Sequence, residues 1–265
     1  MPTVALDIEI FEVILCHLSL ADLQSVNLVC RILHTEARRI IFRTLHFQSK
    51  NSYKKVEQLN QACVNIKVCI KRLHLAIDGD CPPKLSPIIT HKLFQLIRSL
   101  PNLEAFTFKE VDRSIIDPSN PVVIPELALA LRSTFLTEFE IRLDYCDRVE
   151  GEPIAGPKGL KKLSVGWFMG DRTQDRGSSA NHLYQFIKPS LHTLVKLQLT
   201  FCPFKFSDTL NLDIGLLGDA ENLLQFDYTL QGHDGQILDI IPQIFPKLMS
   251  LTILWRPCQK RHSIV

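Results

Sequence analysis

The sequence predicts an α/β solenoid: a small group of helices at the N-terminus, then a parallel sheet built from repeated strand–helix units. Two observations carry that expectation. From Phe42 onward the chain repeats one pattern eight times: apolar, two residues, apolar, one residue, apolar. The central positions are Leu45, Leu73, Phe106, Phe139, Leu163, Leu197, Phe226 and Leu251, spaced 24 to 34 residues apart. Between them lie apolar residues at helical spacing. A period of two marks a short strand with one face inward, and a period near 3.6 marks an amphipathic helix. A short strand is unstable alone, so eight at this spacing must pair side by side, with the helices on the convex side.

The first 42 residues read as a separate helical module, and 43–265 as the repeat region. Ile10, Val13, Ile14 and Leu18 form one apolar stripe at helical spacing. Ser19 stands three residues before Asp22, a capping-box arrangement that ends one helix and starts the next. Leu23 and Val26 face inward from a single turn, and Val29, Cys30, Leu33, Ala37, Ile40 and Ile41 form the stripe of a longer third helix. A bundle of about 40 residues lacks the apolar area to offset its chain entropy, so this module needs a partner.

The triplets start with Phe42-Leu45-Phe47 and end with Leu248-Leu251-Ile253. Tyr53 to Cys69 shows Val56, Leu59, Cys63 and Ile66 at helical spacing, and His91 to Leu100 shows Leu93, Leu96 and Ile97 before Pro101. Pro125 to Arg132 opens with proline at the first helical position. Ala180 to Ile187 and Gly235 to Phe245 complete the helical patterns. A doubly wound α/β domain would show the same alternation, but no strand is followed by a Gly-rich phosphate loop. After Ile253 no helical pattern covers the last strand, so either Trp255 and the tail fold back as a cap or the chain is a short or truncated form.

A hydrophobic content of 46% with 22% charged residues describes a globular protein, and a formal charge of +2 gives no reason to expect nucleic acid or an acidic membrane surface. The N-terminus carries Asp7, Glu9 and Glu12 and no basic region, unlike a signal peptide. No apolar run approaches a membrane span. Cys16, Cys30, Cys69 and Cys202 lie in apolar periodic segments, without Cys-x-x-Cys pairs or glycosylation sequons. A reduced cytoplasmic or nuclear protein fits best.

Catalytic constellations are missing from the sequence: there is no Gly-x-Ser-x-Gly, His-Glu-x-x-His or Walker motif. Gly156-Pro157-Lys158-Gly159 precedes a strand, so it reads as a connecting turn; Cys81-Pro82-Pro83 is another turn. Cys258 and His262 are two ligands at most, and two do not make a metal site. Asp144, Asp147, Glu150 and Glu152 read as a solvated loop, and Gly170 to Ser179 as a protruding one. No enzyme and no cofactor is expected.

The run Leu6, Glu9, Ile10, Ile14, Leu18, Asp22, Leu23, Val26, Val29, Cys30, Arg31 resembles the F-box, the adaptor-binding motif of receptors in cullin-based ubiquitin ligases. It covers about a sixth of the chain. Two positions depart: Asp7 replaces the usual Pro, keeping a good N-cap but losing a contact, and Leu33 stands where Trp is common. The repeat region is similar in rhythm to leucine-rich repeats of the irregular kind found in fungal F-box proteins. Only Leu194-Leu197-Leu199 is followed by the expected Cys, Cys202.

The resemblance implies a substrate-recognition subunit of an SCF-type ligase, docking on a Skp-family adaptor and through it a cullin. Leu6, Glu9, Ile10, Leu20, Leu23, Val26, Val29, Cys30 and Leu33 would contact the adaptor or support that surface. A target protein would bind the concave face through Glu138, Glu140, Lys162, Lys196, Gln198 and Asp227, which offer both signs of charge without a dominant one. The alternative is a repeat scaffold with a degenerate F-box that never enters a ligase.

Overall fold

The structure is a computed structural model that describes residues 8–48, 52–77, 86–110, 123–132, 134–146, 155–169, 183–200, 217–231 and 237–256. Three helices open it: α1 (Ile8–Cys16), α2 (Leu20–Val26) and α3 (Arg31–Arg43). Ser19 caps α2 as its spacing predicts. Its Oγ accepts a hydrogen bond from the Asp22 amide at 3.2 Å and donates to Asp22 Oδ2 at 2.6 Å. These helices share a small core of Leu15, Leu23 and Ala37, lined by Leu18, Val26, Ile40 and Ile41.

That core does not use the whole apolar stripe of α1. Ile10, Val13 and Ile14 do not face it; they are 49%, 62% and 49% exposed, whereas Leu15 is 2% exposed. An apolar stripe has the same period whether it faces its own bundle or something else. Val29 and Cys30 also fall outside the third helix, which begins at Arg31 with Cys30 as its extended N-cap residue.

The rest is an α/β arrangement around one eight-stranded sheet: β1 (Thr44–Gln48), β2 (Arg72–Ile77), β3 (Ala105–Glu110), β4 (Glu138–Cys146), β5 (Lys162–Met169), β6 (Lys196–Thr200), β7 (Gln225–Gln231) and β8 (Ser250–Arg256). All seven pairings are parallel and the order in space is the order in sequence. The central residues of the triplets are register partners along the whole sheet, from Leu45 beside Leu73 to Phe226 beside Leu251.

The helices are α4 (Ser52–Gln61), α5 (Val64–Lys67), α6 (Ser86–Arg98), α7 (Val123–Arg132), α8 (183–187) and α9 (Ile237–Ile244). α4 packs on α6 and α6 on α7. From β2 to β7 the strand residues at the triplet positions fill the core between sheet and helices, with Leu73, Leu163, Leu197 and Phe226 essentially inaccessible; at the ends Leu45, Phe47 and Ile253 are half-buried and Leu251 is exposed. The first residue of each later triplet, such as Ile70 or Leu194, precedes its strand and is buried there except Leu248, which is half-buried; Phe42 lies inside α3.

Several helix limits differ from the sequence expectation. The pattern from Tyr53 to Cys69 breaks into α4 and α5, with Cys63 exposed as the N-cap of α5. α6 starts before His91, and Pro125 is the third residue of α7, not the first. α8 continues as a 3-10 turn over Lys188–Thr193, because Pro189 has no amide hydrogen for an α-helical bond.

The connections are held by side chains from the neighbouring unit. Asn102 Nδ2 donates to Val68 O at 2.7 Å, and Asn222 Nδ2 donates to His192 O at 2.7 Å. Buried Ser190 donates to Pro157 O at 2.7 Å and accepts from the Leu160 amide at 3.1 Å. Gly156 and Gly159 belong to that same turn, as expected, and Gly159 has φ +84°. Residues Cys81–Pro83, Asp147 to Glu152, Gly170 to Ser179, Cys202, Cys258 and His262 lie outside the described residues.

Candidate functional site

Two surfaces stand apart from ordinary solvated protein. The first is the corner where α2 meets α3. Leu20, Leu28, Val29 and Ile32 are 58–84% exposed there, on helices that bury only a small core of their own. Leaving large apolar side chains in water forgoes roughly 1.5–3 kcal/mol each relative to burial. Among the residues expected to meet an adaptor, Ile10, Leu20, Val29 and Cys30 are exposed. Val26 and Leu33 are half-buried, and Leu23, at 5%, belongs to the module's core. Glu9 falls in α1, and Leu6 lies outside the described residues.

The second surface is the face of the sheet opposite the helices. Alternation puts every second strand residue here, and parallel register aligns them in rows across the strands. One row runs Arg72, Ala105, Glu138, Lys162, Lys196, Gln225. The next runs His46, His74, Thr107, Glu140, Ser164, Gln198, Asp227. A third includes Lys109, Arg142 and Gly166. All six residues expected to bind a target, Glu138, Glu140, Lys162, Lys196, Gln198 and Asp227, therefore share one face.

Charges on it pair both across and along strands. Glu138 lies 2.8 Å from Lys162 and 3.7 Å from Arg72, and its hydrogen bond with Lys162 holds its carboxyl below the usual range. Glu140 lies 3.1 Å from Lys109 and 3.6 Å from Arg142. Asp227 lies 3.6 Å from Lys196 and accepts from Gln225 Nε2 at 3.0 Å. At the β1–β2 end the His46 and His74 rings stack with centroids 4.3 Å apart. Partial burial, then the neighbouring His46, lowers the His74 pKa and favours the neutral ring. Arg72, His74, Lys109 and Arg142 escaped the sequence reading, although the same two-residue alternation places them.

A third feature is a cleft of about 350 Å³ between α1, α3 and the start of β2, lined by Glu12, Glu36, Arg39, Arg43, Cys69 and Lys71. Its charges are matched: Arg39 donates to both Glu36 oxygens, Arg43 lies 3.7 Å from Glu12, and Lys71 lies 2.8 Å from Glu104. Burial pushes the Cys69 thiol pKa up, which disfavours a reactive thiolate.

Among the described residues no group of three or more His, Cys, Asp or Glu side chains is placed to hold a metal ion, and no helix is long and apolar enough to cross a membrane. No family model and no curated protein matches this chain.

Proposed function

We propose that this chain is a substrate receptor of an SCF-type ubiquitin ligase. Its N-terminal module is an F-box that docks on a Skp-family adaptor, and its repeats form an irregular leucine-rich-repeat solenoid that holds a target protein on the open sheet face. The observation that supports this most is the exposed apolar corner of α2 and α3, on a module whose sequence resembles the F-box. Strictly sequential parallel strands, with helices on one side of the sheet, are the arrangement expected of a solenoid. The chain makes and breaks no bond. It contributes effective concentration and orientation, bringing a target close to the conjugating machinery through the adaptor and cullin.

Co-purification from cells tests the reading. The intact chain should capture adaptor and cullin, and the variant Leu20→Asp/Val29→Asp should capture neither while keeping its circular dichroism and melting point. Retained capture by that folded variant, or no capture by the parent chain, would refute the receptor assignment. A scaffold that never enters a ligase predicts the second outcome, and Asp7 in place of the usual proline and Leu33 in place of the usual Trp favour it.

A further inference from the structure

The open face is more positive than its expected site residues suggest, and it has a shape. Among the described side chains it presents the cations Arg72, Lys109, Arg142, Lys162 and Lys196 against the carboxylates Glu138, Glu140 and Asp227. Each carboxylate already lies within 3.7 Å of a cation, and Glu138 and Glu140 each lie between two. The negative charge is thus consumed locally, and the surplus is cationic.

The surplus borders a trough. A depression of about 480 Å³ runs across the strands from His74 on β2 to Gln225 on β7. Its lining includes the short side chains of Ala105, Thr107 and Ser164, beside the longer Lys162 and Lys196. Five strand spacings of about 4.8 Å make it about 24 Å long, the reach of about seven extended residues. In the next row Gly166 makes room for the Arg142 stem: a Cβ there would stand 2.9 Å from Arg142 Cγ. Lys162 and Lys196 line the trough together with Glu138 and Glu140, and Lys109 and Arg142 stand one row further along the strands, both against Glu140.

We infer that the trough binds an extended acidic segment of a partner protein, about seven residues long and laid across the strands, with its Asp and Glu side chains on the two cationic rows. This rests on the receptor reading only in making that partner the ligase target. Interleaved carboxylates decide between a peptide and a nucleic acid. Glu138, Glu140 and Asp227 would meet a phosphate backbone charged at every step, whereas a peptide can place neutral residues over them and acids between. Thr107, Ser164 and Gln198 on the middle row offer hydrogen bonds to peptide groups.

Fluorescence anisotropy with the full chain tests this, using three probes: a labelled peptide alternating Glu and Gly, its Lys–Gly counterpart, and a short oligothymidylate. The Glu peptide should bind in preference to the other two and weaken as salt rises. Lys162→Glu/Lys196→Glu should weaken it by about tenfold or more, as loss of two complementary charges and gain of two repulsive ones requires. Glu138→Gln should strengthen it several-fold by releasing Arg72 and Lys162, and this variant carries the test if the double reversal does not fold. No binding of the Glu peptide, equal binding of the Lys peptide or the oligonucleotide, or a Glu138→Gln effect of the opposite sign would overturn the inference. Adaptor capture is read separately on the same preparations. Its failure with intact peptide binding sinks the receptor reading alone, and the converse sinks this inference alone.

Discussion

Lys162 donates to Glu138 Oε1 at 2.8 Å from the adjacent strand, and Arg72 approaches the other oxygen of the same carboxylate at 3.7 Å from two strands away on the opposite side. Residues 24 and 66 positions from Glu138 in sequence thereby share one charge. The triad exists because parallel strands in register bring one position of successive units into a row. It is a property of the row, and no single unit contains it.

The triad sets the direction of a pH effect. A carboxyl whose folded pKa is depressed contributes stability above its unfolded pKa, and that contribution is lost as pH falls through the folded value. Glu138 should therefore titrate below its ordinary value of 4.5 by NMR, and Lys162→Met should raise its midpoint toward that value. The pair is partly solvent-accessible, with the Lys162 side chain 56% exposed, so Glu138→Gln should change stability by no more than about 1 kcal/mol. A midpoint unmoved by Lys162→Met would remove Lys162 as the cause.

Neighbouring residues on β6 should respond in opposite ways. Leu197 is fully buried between sheet and helices, and Leu197→Ala should cost about 2–5 kcal/mol. Lys196 points to the open face, and Lys196→Ala should stay within about 0.5 kcal/mol. Chemical denaturation measures both. Equal losses would show that the open face is covered in solution.

Ser190 predicts a cost without any change in apolar packing. Its hydroxyl satisfies both the Pro157 carbonyl and the Leu160 amide in a buried turn. Ser190→Ala leaves both without that partner and should destabilise by about 1–3 kcal/mol. Gly156 lies in the same turn, and a Cβ there would collide with the Phe186 carbonyl oxygen. That neighbour is backbone and cannot swing aside, so Gly156→Ala should lower the melting temperature. A thermal melt of each variant checks these expectations.

The strands were legible because each triplet carries its own period. The paired interior positions of a strand need no knowledge of the rest of the fold, as Leu163 and Val165 show. What crosses strands was harder to read. Arg72 and Glu138 meet only through register, and register depends on how loops of unequal length close. Helix starts were missed where Pro125 suggested an entry that the chain makes two residues earlier. The direction of the α1 stripe was not legible for a further reason. Ile10, Val13 and Ile14 satisfy helical periodicity as well as Leu15 and Leu18 do, and periodicity does not say which side holds the bundle.

That distinction yields the sharpest test of the helical module, because Leu20 and Leu23 are one turn apart on α2 with opposite environments. Leu23 is 5% exposed in the core with Leu15 and Ala37; Leu20 is 58% exposed. Burying an unpaired carboxylate is costly, so Leu23→Asp should unfold the module and abolish adaptor capture indirectly. Leu20→Asp places its charge in water and should leave the helical circular dichroism intact, so any capture it loses is lost at the surface itself. Hydrogen exchange of the α2 and α3 amides separates the two cases. Protection should vanish in Leu23→Asp and persist in Leu20→Asp. If Leu20→Asp keeps its protection and its adaptor, the exposed corner of α2 and α3 is not the docking surface, however apolar it is.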